Sequence, residues 1–327
     1  MLCRSTQAQS FPIGIVDVFG NRKLTKEQVL QHLGYKTGDS LSQRNFRPDS
    51  IIAELKKTPG VAQASIEAVC CDSSGRLMLF AGIAEDAKPS ETYRAAPTGD
   101  IRLTDTMIAV YHDFIRQNQE APASGQNTED DSHGYALGNF KPVRDDQQQF
   151  IIFAAQHLAL LSNTLRHSKS AEHRAVAAEI IAYSPERKQV VDNLLFAAAD
   201  PDETVRNNAI RALGVLSDYL DTHKELHIII DGRPFIAMLN SIVWTDRNKS
   251  GLLLQKLSKN RDPRLLKQLR VQALPSLREM AAWNDRSHAL PYFIILGRMA
   301  GIDDGKLYEQ NFSKDWPGYL DGIIARL

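Results

Sequence analysis

The stretch DPDETVRNNAIRALGVLSDYL, residues 200–220, constrains the fold more than any other part of this chain, because it recurs. Asp200 offers an acceptor suited to a helix N-cap and Pro201 suits the first helical position. Val205, Ala209, Ala212, Leu213 and Leu216 follow at helical spacing and form one apolar stripe. Ala209, Ala212 and Gly214 are small, so a neighbouring helix is expected to approach closely. A step back of 32 residues lays AEHRAVAAEIIAYS over the stretch, with Arg174 on Arg206 and Ala177 on Ala209. A step forward of 41 lays DRNKSGLLLQKLS over it, with Arg247 on Arg206 and Leu254 on Leu213. A further 42 brings in LPYFIILGRMAG, where the Leu-Gly pair persists and the arginine is gone. Partner helices open at Ser184-Pro185-Glu186 and Asp262-Pro263 between these copies. A period of this size marks stacked helix pairs, whose layers touch only their neighbours.

The core V-R-x-x-A-x-x-A-L-G, residues 205–214, resembles the HEAT-like repeats named after phycobiliprotein lyases. The resemblance implies a right-handed stack of antiparallel helix pairs with a concave face, of a kind that usually binds other macromolecules. Asp200, Pro201, Val205, Arg206, Ala209, Leu213 and Gly214 are its expected structural residues.

Between Ile13 and Glu85 the grammar changes. IGIVDVFG reads as a strand ending in the turn pair Gly20-Asn21. TKEQVLQHLGY reads as a helix capped by Thr25 and stopped at Gly34, and RPDSIIAELKKTPG as a second helix. VAQASIEAVCC and RLMLFAGIAE then alternate like two strands joined at DSSG. With V-x-G-N-x-x-x-x-x-E-x-V and G-Y-K-x-G-D, this β-α-α-β-β order is similar to a POTRA domain. That resemblance implies a bacterial envelope or organelle-import setting and binding of extended segments along a sheet edge. The β-barrel that usually follows is missing, since no series of alternating strands succeeds residue 86.

The expected organisation is therefore an α+β domain over residues 13–86, followed by an all-α HEAT-like solenoid over 143–327. Residues 87–142 join them as an amphipathic helix, TDTMIAVYHDFIRQ, and an acidic polar linker. The solenoid is expected to fold without the first ~90 residues, because repeats lean only on neighbours. Residues 1–12 read either as the tail of a signal peptide or as a ragged terminus. With the POTRA-like resemblance the expectation is a periplasmic or otherwise exported protein, the alternative a cytoplasmic one.

Candidate chemistry is sparse. His223 and His227 stand four apart around Glu225, but a zincin needs His-Glu-x-x-His on a continuous helix. Cys70 and Cys71 are adjacent on an expected strand, so their thiols should face opposite sides. Asp130-Asp131 and Asp145-Asp146 sit in or beside the polar linker, where solvated charge is the usual role. No catalytic, cofactor-binding or metal site is expected. Net charge is zero, which removes any global pull toward nucleic acid. No apolar run reaches the ~20 residues that cross a bilayer. One charge feature stands out, a basic stripe over residues 244–278 that includes Arg247, Lys249, Lys256, Lys259, Arg264 and Lys267. It is read as solvated solenoid surface or as a partner-binding face for an acidic ligand, the acidic linker included. The leading function is a non-catalytic bacterial adaptor that holds protein partners, in envelope biogenesis. A nucleic-acid-binding repeat protein using the stripe, and a modifying enzyme of the repeat-lyase type, are the alternatives.

Overall fold

The computed structural model describes residues 10–42, 45–86, 93–126, 128–310 and 313–327. Residues 1–9, on which the leader question turns, lie outside them. A small sheet region comes first and a mostly helical, repeat-like region follows.

The first elements are β1 (Ser10–Phe19), α1 (Lys26–Leu30), β2 (Ser40–Ser42), α2 (Pro48–Leu55), β3 (Gln63–Val69) and β4 (Leu77–Ala84). Thr25 caps α1 in a reciprocal box with Gln28. The sheet order is β2-β1-β4-β3, with β1 parallel to β4 and antiparallel to β2, and β3 antiparallel to β4. The expected strand-helix-helix-strand-strand order is present, with the three-residue β2 added between the helices. A register shift at Gly14 lets Ile13 and Val16 point to the same side. That side packs on Val29, Leu33, Ile51 and Leu55 of the helical layer. A side chain at Gly14 would overlap the Asp72 carboxylate, so the bulge needs a glycine.

β4 is buried along nearly its whole length, which explains its unbroken apolar run. Leu79, Ala81 and Ile83 join the core under α1 and α2. Its other side meets Trp244, Trp283, His288 and Ile242 from the C-terminal part of the chain, whose helices are α8 (Arg233–Met238), α9 (Trp244–Leu257), α10 (Pro263–Ala281), α11 (Arg286–Met299), α12 (Asp304–Glu309) and α13 (Trp316–Ile324). The Phe80 ring lies 5.1 Å from Trp244 and 5.4 Å from Trp283, and Phe19 lies 6.0 Å from Trp283. At Gly82 an added Cβ would come within 1.9 Å of the Ile242 carbonyl oxygen. The sheet is thus the middle layer of three.

The chain accordingly divides otherwise than at 13–86 and 143–327. One compact unit comprises Met1–Glu91, Arg233–Gly251 and Asn260–Leu327, the other Thr92–Gly232 and Leu252–Lys259. Two-sided burial of β4 is the physical reason. The sheet shares its core with the last helices instead of standing apart.

The second unit contains α3 (Asp105–Glu120), α4 (Lys141–His167), α5 (Ala171–Ile181), α6 (Arg187–Ala197) and α7 (Glu203–Thr222). α5 packs on α4 and α7, and α6 on α7, which is the expected layering of helix pairs. Among the residues expected to be a linker, Glu129–Asp130 and Leu137–Gly138 form a two-stranded hairpin, β5 and β6. It is docked, because the Ala136 carbonyl accepts from Gln147 at 3.0 Å and from the Tyr183 hydroxyl at 3.2 Å. Glu129 pairs with Arg211 and the His133 carbonyl accepts from Arg187. The polar composition satisfies a docked hairpin instead of solvating a tether. No helix of the described residues is long and apolar enough to cross a membrane.

Candidate functional site

The repeat arginines are the largest fully buried side chains of the described residues. Arg174, Arg206 and Arg247 are each 2% exposed or less. Each is the fourth residue of its helix, α5, α7 or α9. Each folds back to the carbonyl six residues earlier: Arg174 to Ser168 at 2.9 Å, Arg206 to Asp200 at 2.8 Å, Arg247 to Ser241 at 2.5 Å. The arginine therefore ties the incoming loop to the helix that follows it. α11 has Ala289 at this position, matching the loss of the arginine in the fourth copy.

A buried guanidinium needs a counter-charge, since desolvation otherwise costs several kcal/mol. Asp200, wholly buried, accepts from Arg174 through both oxygens, at 2.8 Å each. Arg247 finds Glu279 of α10 at 2.6 Å. Burial pulls the Arg247 guanidinium below its ordinary range and Glu279 works against the shift. Asp200 is consequently not the cap of α7. Asp202 caps it, accepting from Thr204 and Val205 backbone N–H groups, and Pro201 precedes the cap. The guanidinium claims the carboxylate that local spacing assigned to the backbone.

Val205, Ala209 and Leu213 are core residues with no exposure. Gly214 is buried, yet a Cβ there would meet open space, so no close helix approach demands it. Asn208 links layers by donating to the Ala175 carbonyl and to the Tyr111 hydroxyl, both at 3.1 Å. Burial pushes the Tyr111 phenol up to about 12.

An extended strap, residues 93–103, runs over the loops that the arginines brace. Arg94 N–H donates to the Ala199 carbonyl at 2.8 Å, Lys169 N–H to the Gly99 carbonyl at 2.7 Å, and Leu103 N–H to His173 Nδ1 at 2.9 Å. Tyr93 lies on the Arg206 guanidinium, 3.8 Å from ring centre to Cζ. The Arg94 side chain reaches the same Asp200 that Arg174 holds. Nothing in the sequence signals the strap, because a single extended segment has no periodicity.

The residues of the basic stripe are divided between the two units. Arg247 is enclosed in its brace, which removes it as a partner-binding residue. Lys249 is half-buried. Lys256 pairs with Asp218 and Lys259 with Asp221, both carboxylates on α7. Arg264 and Lys267 are exposed on α10. The acidic linker residue Glu129 goes to Arg211, not to the stripe.

His223 ends α7 and stacks on Tyr219 at 3.8 Å, while His227 follows beyond the helix at a φ of 50°. The two imidazoles share no helix face. Cys70 and Cys71 are joined as a disulfide. They lie just past Val69, the last residue of β3, so strand alternation does not separate their side chains as expected. Asp130 accepts from the Ser132 N–H and Asp145 from Lys141. Among the described residues, no group of three or more His, Cys, Asp or Glu side chains is placed to hold a metal ion.

Residues 158–228 match the family model of HEAT repeats. This stretch, from mid-α4 through α7, contains two of the three braces, and it is similar to HEAT repeats. No curated protein matches the chain. Among solved structures, a designed armadillo repeat protein in complex with a (KR)4 peptide aligns at a TM-score of 0.37 and 10% identity, over 57% of this chain and 93% of that one. The repeat assignment rests on the matched residues and their arginines.

Proposed function

We propose that this chain is a non-catalytic adaptor that holds protein partners through its HEAT-like repeats and its N-terminal sheet. The observation that carries the reading is the arginine brace. The repeat's charged residues are spent on holding helix pairs in register, as a scaffold requires. The match of residues 158–228 to HEAT repeats supports it. The POTRA-like reading of residues 13–86 draws support from β1 lying parallel to the last strand and β3 standing at the sheet edge. An edge strand can accept an extended partner segment through its backbone. From that resemblance follows the proposed setting, export to a bacterial envelope.

The test is quantitative co-purification of the full chain from a native extract, with and without nuclease. A stoichiometric protein partner that survives nuclease is expected. Binding lost on nuclease treatment, with log affinity falling linearly with log salt, would sink the adaptor in favour of nucleic acid. Recovery of the chain with cytosolic markers after cell fractionation would remove the export proposal alone.

A further inference from the structure

The strap rests on groups whose bonds within the helical repeats are already made. Arg174 already satisfies Asp200 through both carboxylate oxygens. Arg94 adds a second guanidinium to one of those oxygens, and Arg166 lies with it on the Phe196 ring, at 4.5 Å and 4.3 Å respectively. Two guanidiniums thus share one carboxylate, while Arg166 beside them bonds to Asn193. Arg94 Nε is buried without a hydrogen-bond partner, an incomplete fit that costs free energy. Burial lowers the Arg94 guanidinium from its ordinary range, and Arg174 and Arg166 lower it further, against the pull of Asp200. The strap is also a surface segment, with Ala95, Ala96, Thr98 and Asp100 exposed. Its main-chain bonds to the helical loops fall at residues 94, 99 and 103, far sparser than a β-ladder.

The seat beneath has specific chemistry. The Arg206 guanidinium presents a flat cationic face that takes an aromatic ring. Next to it, Asp200, the Leu165 carbonyl and the Phe196 face together take a guanidinium. The Ala199 carbonyl and the Lys169 N–H take the backbone of an extended chain. We infer that this seat is a recognition site for a partner polypeptide presenting an aromatic residue followed by arginine in extended conformation, with Tyr93-Arg94 as its resident internal occupant. The inference rests on the scaffold reading above and gives it a site and a ligand chemistry. Tethering sets the strap's effective concentration on the order of mM, so a free segment of equal quality is excluded until the strap yields.

The probe is a fluorescent peptide of residues 93–103, titrated into the full chain and into its Tyr93→Ala/Arg94→Ala variant. The variant should bind at least tenfold tighter than the wild type. A peptide with Gln in place of its arginine should lose at least tenfold, and one with Lys should recover only part, lacking the planar fork. Equal binding to both chains, or none to a variant with native helical circular dichroism, overturns the proposal. A variant that loses its helical signal overturns it too, because the dipeptide would then be part of the fold. Wild-type dimers made by exchanged straps would give the seat to a second copy instead of a partner. If the variant fails the peptide test while the chain still co-purifies a protein partner, this seat is lost and the scaffold reading stands.

Discussion

Arg206 and Arg247 occupy one repeat position, make one loop contact, and are covered by different parts of the chain. Over Arg247 lies Phe19, at 4.6 Å, from a sheet that shares an aromatic core with Trp244 and Trp283. Over Arg206 lies Tyr93, from an extended strap held at scattered points. The comparison separates what a repeat arginine is for from what its surroundings permit. The brace is constant and structural, whereas the cover is core in one unit and a surface segment in the other. Where the cover is core it cannot leave without unfolding its unit. Where it is a strap, the guanidinium face below can serve a second ligand.

The largest expected effect comes from removing residues 10–86. All three tryptophans, Trp244, Trp283 and Trp316, belong to the unit that would lose its sheet. Their emission should shift to the red, while most helical circular dichroism from α3–α7 remains. The point version is Phe19→Ala, expected to cost about 3–5 kcal/mol as a buried aromatic truncation. A truncated chain with native tryptophan emission and an undiminished melting transition would show that the sheet is separable after all, and the comparison would fail.

Next come the counter-charges. Asp200→Ala should cost about 3–5 kcal/mol in urea unfolding, because it strands Arg174 in the interior. Glu279→Ala should cost less, about 1.5–3 kcal/mol, the range for losing a hydrogen bond to a charged group. Glu279 is 16% exposed, so water can replace part of what it supplies. Equal costs would mean that the two braces are energetically alike despite their different surroundings.

These outcomes bear on how much could be read from residues alone. The offsets of 32 and 41 alone put three arginines in register, and the structure gives all three the same bond to the residue six earlier. Asp262-Pro263 opened α10 as expected, with Asp262 accepting from the Arg264 N–H. Such features are local or periodic. The role of Asp200 is neither, since its claimants lie 26 and 106 residues away and its neighbours look like an ordinary cap. The strap and the 129–138 hairpin escaped because short extended segments carry no period, and polar composition resembles a tether. The shared core of the sheet was half visible, in the unbroken apolar run of LMLFAGIA. That run demanded cover on both faces without saying which helices would provide it.

Tyr93→Ala is a smaller perturbation, expected at about 0.5–2 kcal/mol, the span of a cation–π contact from exposed to desolvated. A cost as large as that of Phe19→Ala would make the strap core, and erase the difference between the two covers. A cost near zero with unchanged strap protection in hydrogen exchange would detach Tyr93 from Arg206 in solution.

The smallest effect is expected on the solvent side of α9, the helix that also carries Arg247. Lys256 is 29% exposed against 47% for Asp218, and Lys259 is 65% exposed against 42% for Asp221. Pairs this wet contribute about 0–1 kcal/mol each, because water screens them and ordering long side chains costs entropy. Lys256→Gln with Lys259→Gln should therefore move the unfolding midpoint only slightly, and the shift should shrink further near ~1 M salt, where screening acts over about 3 Å. Arg247→Gln, nine residues before Lys256 on the same helix, should cost several-fold more and respond less to salt, since its guanidinium is only 1% exposed. The double lysine variant also tests the stripe as a binding face. Their carboxylate partners on α7 leave little net positive potential at these two positions, so an acidic polymer should bind wild type and variant alike. An acidic polymer that binds the wild type, and loses at least tenfold in a variant of unchanged stability, would show that the partners on α7 yield to a ligand. The contrast would then lie between a charge locked in a brace and charges merely parked on a neighbour.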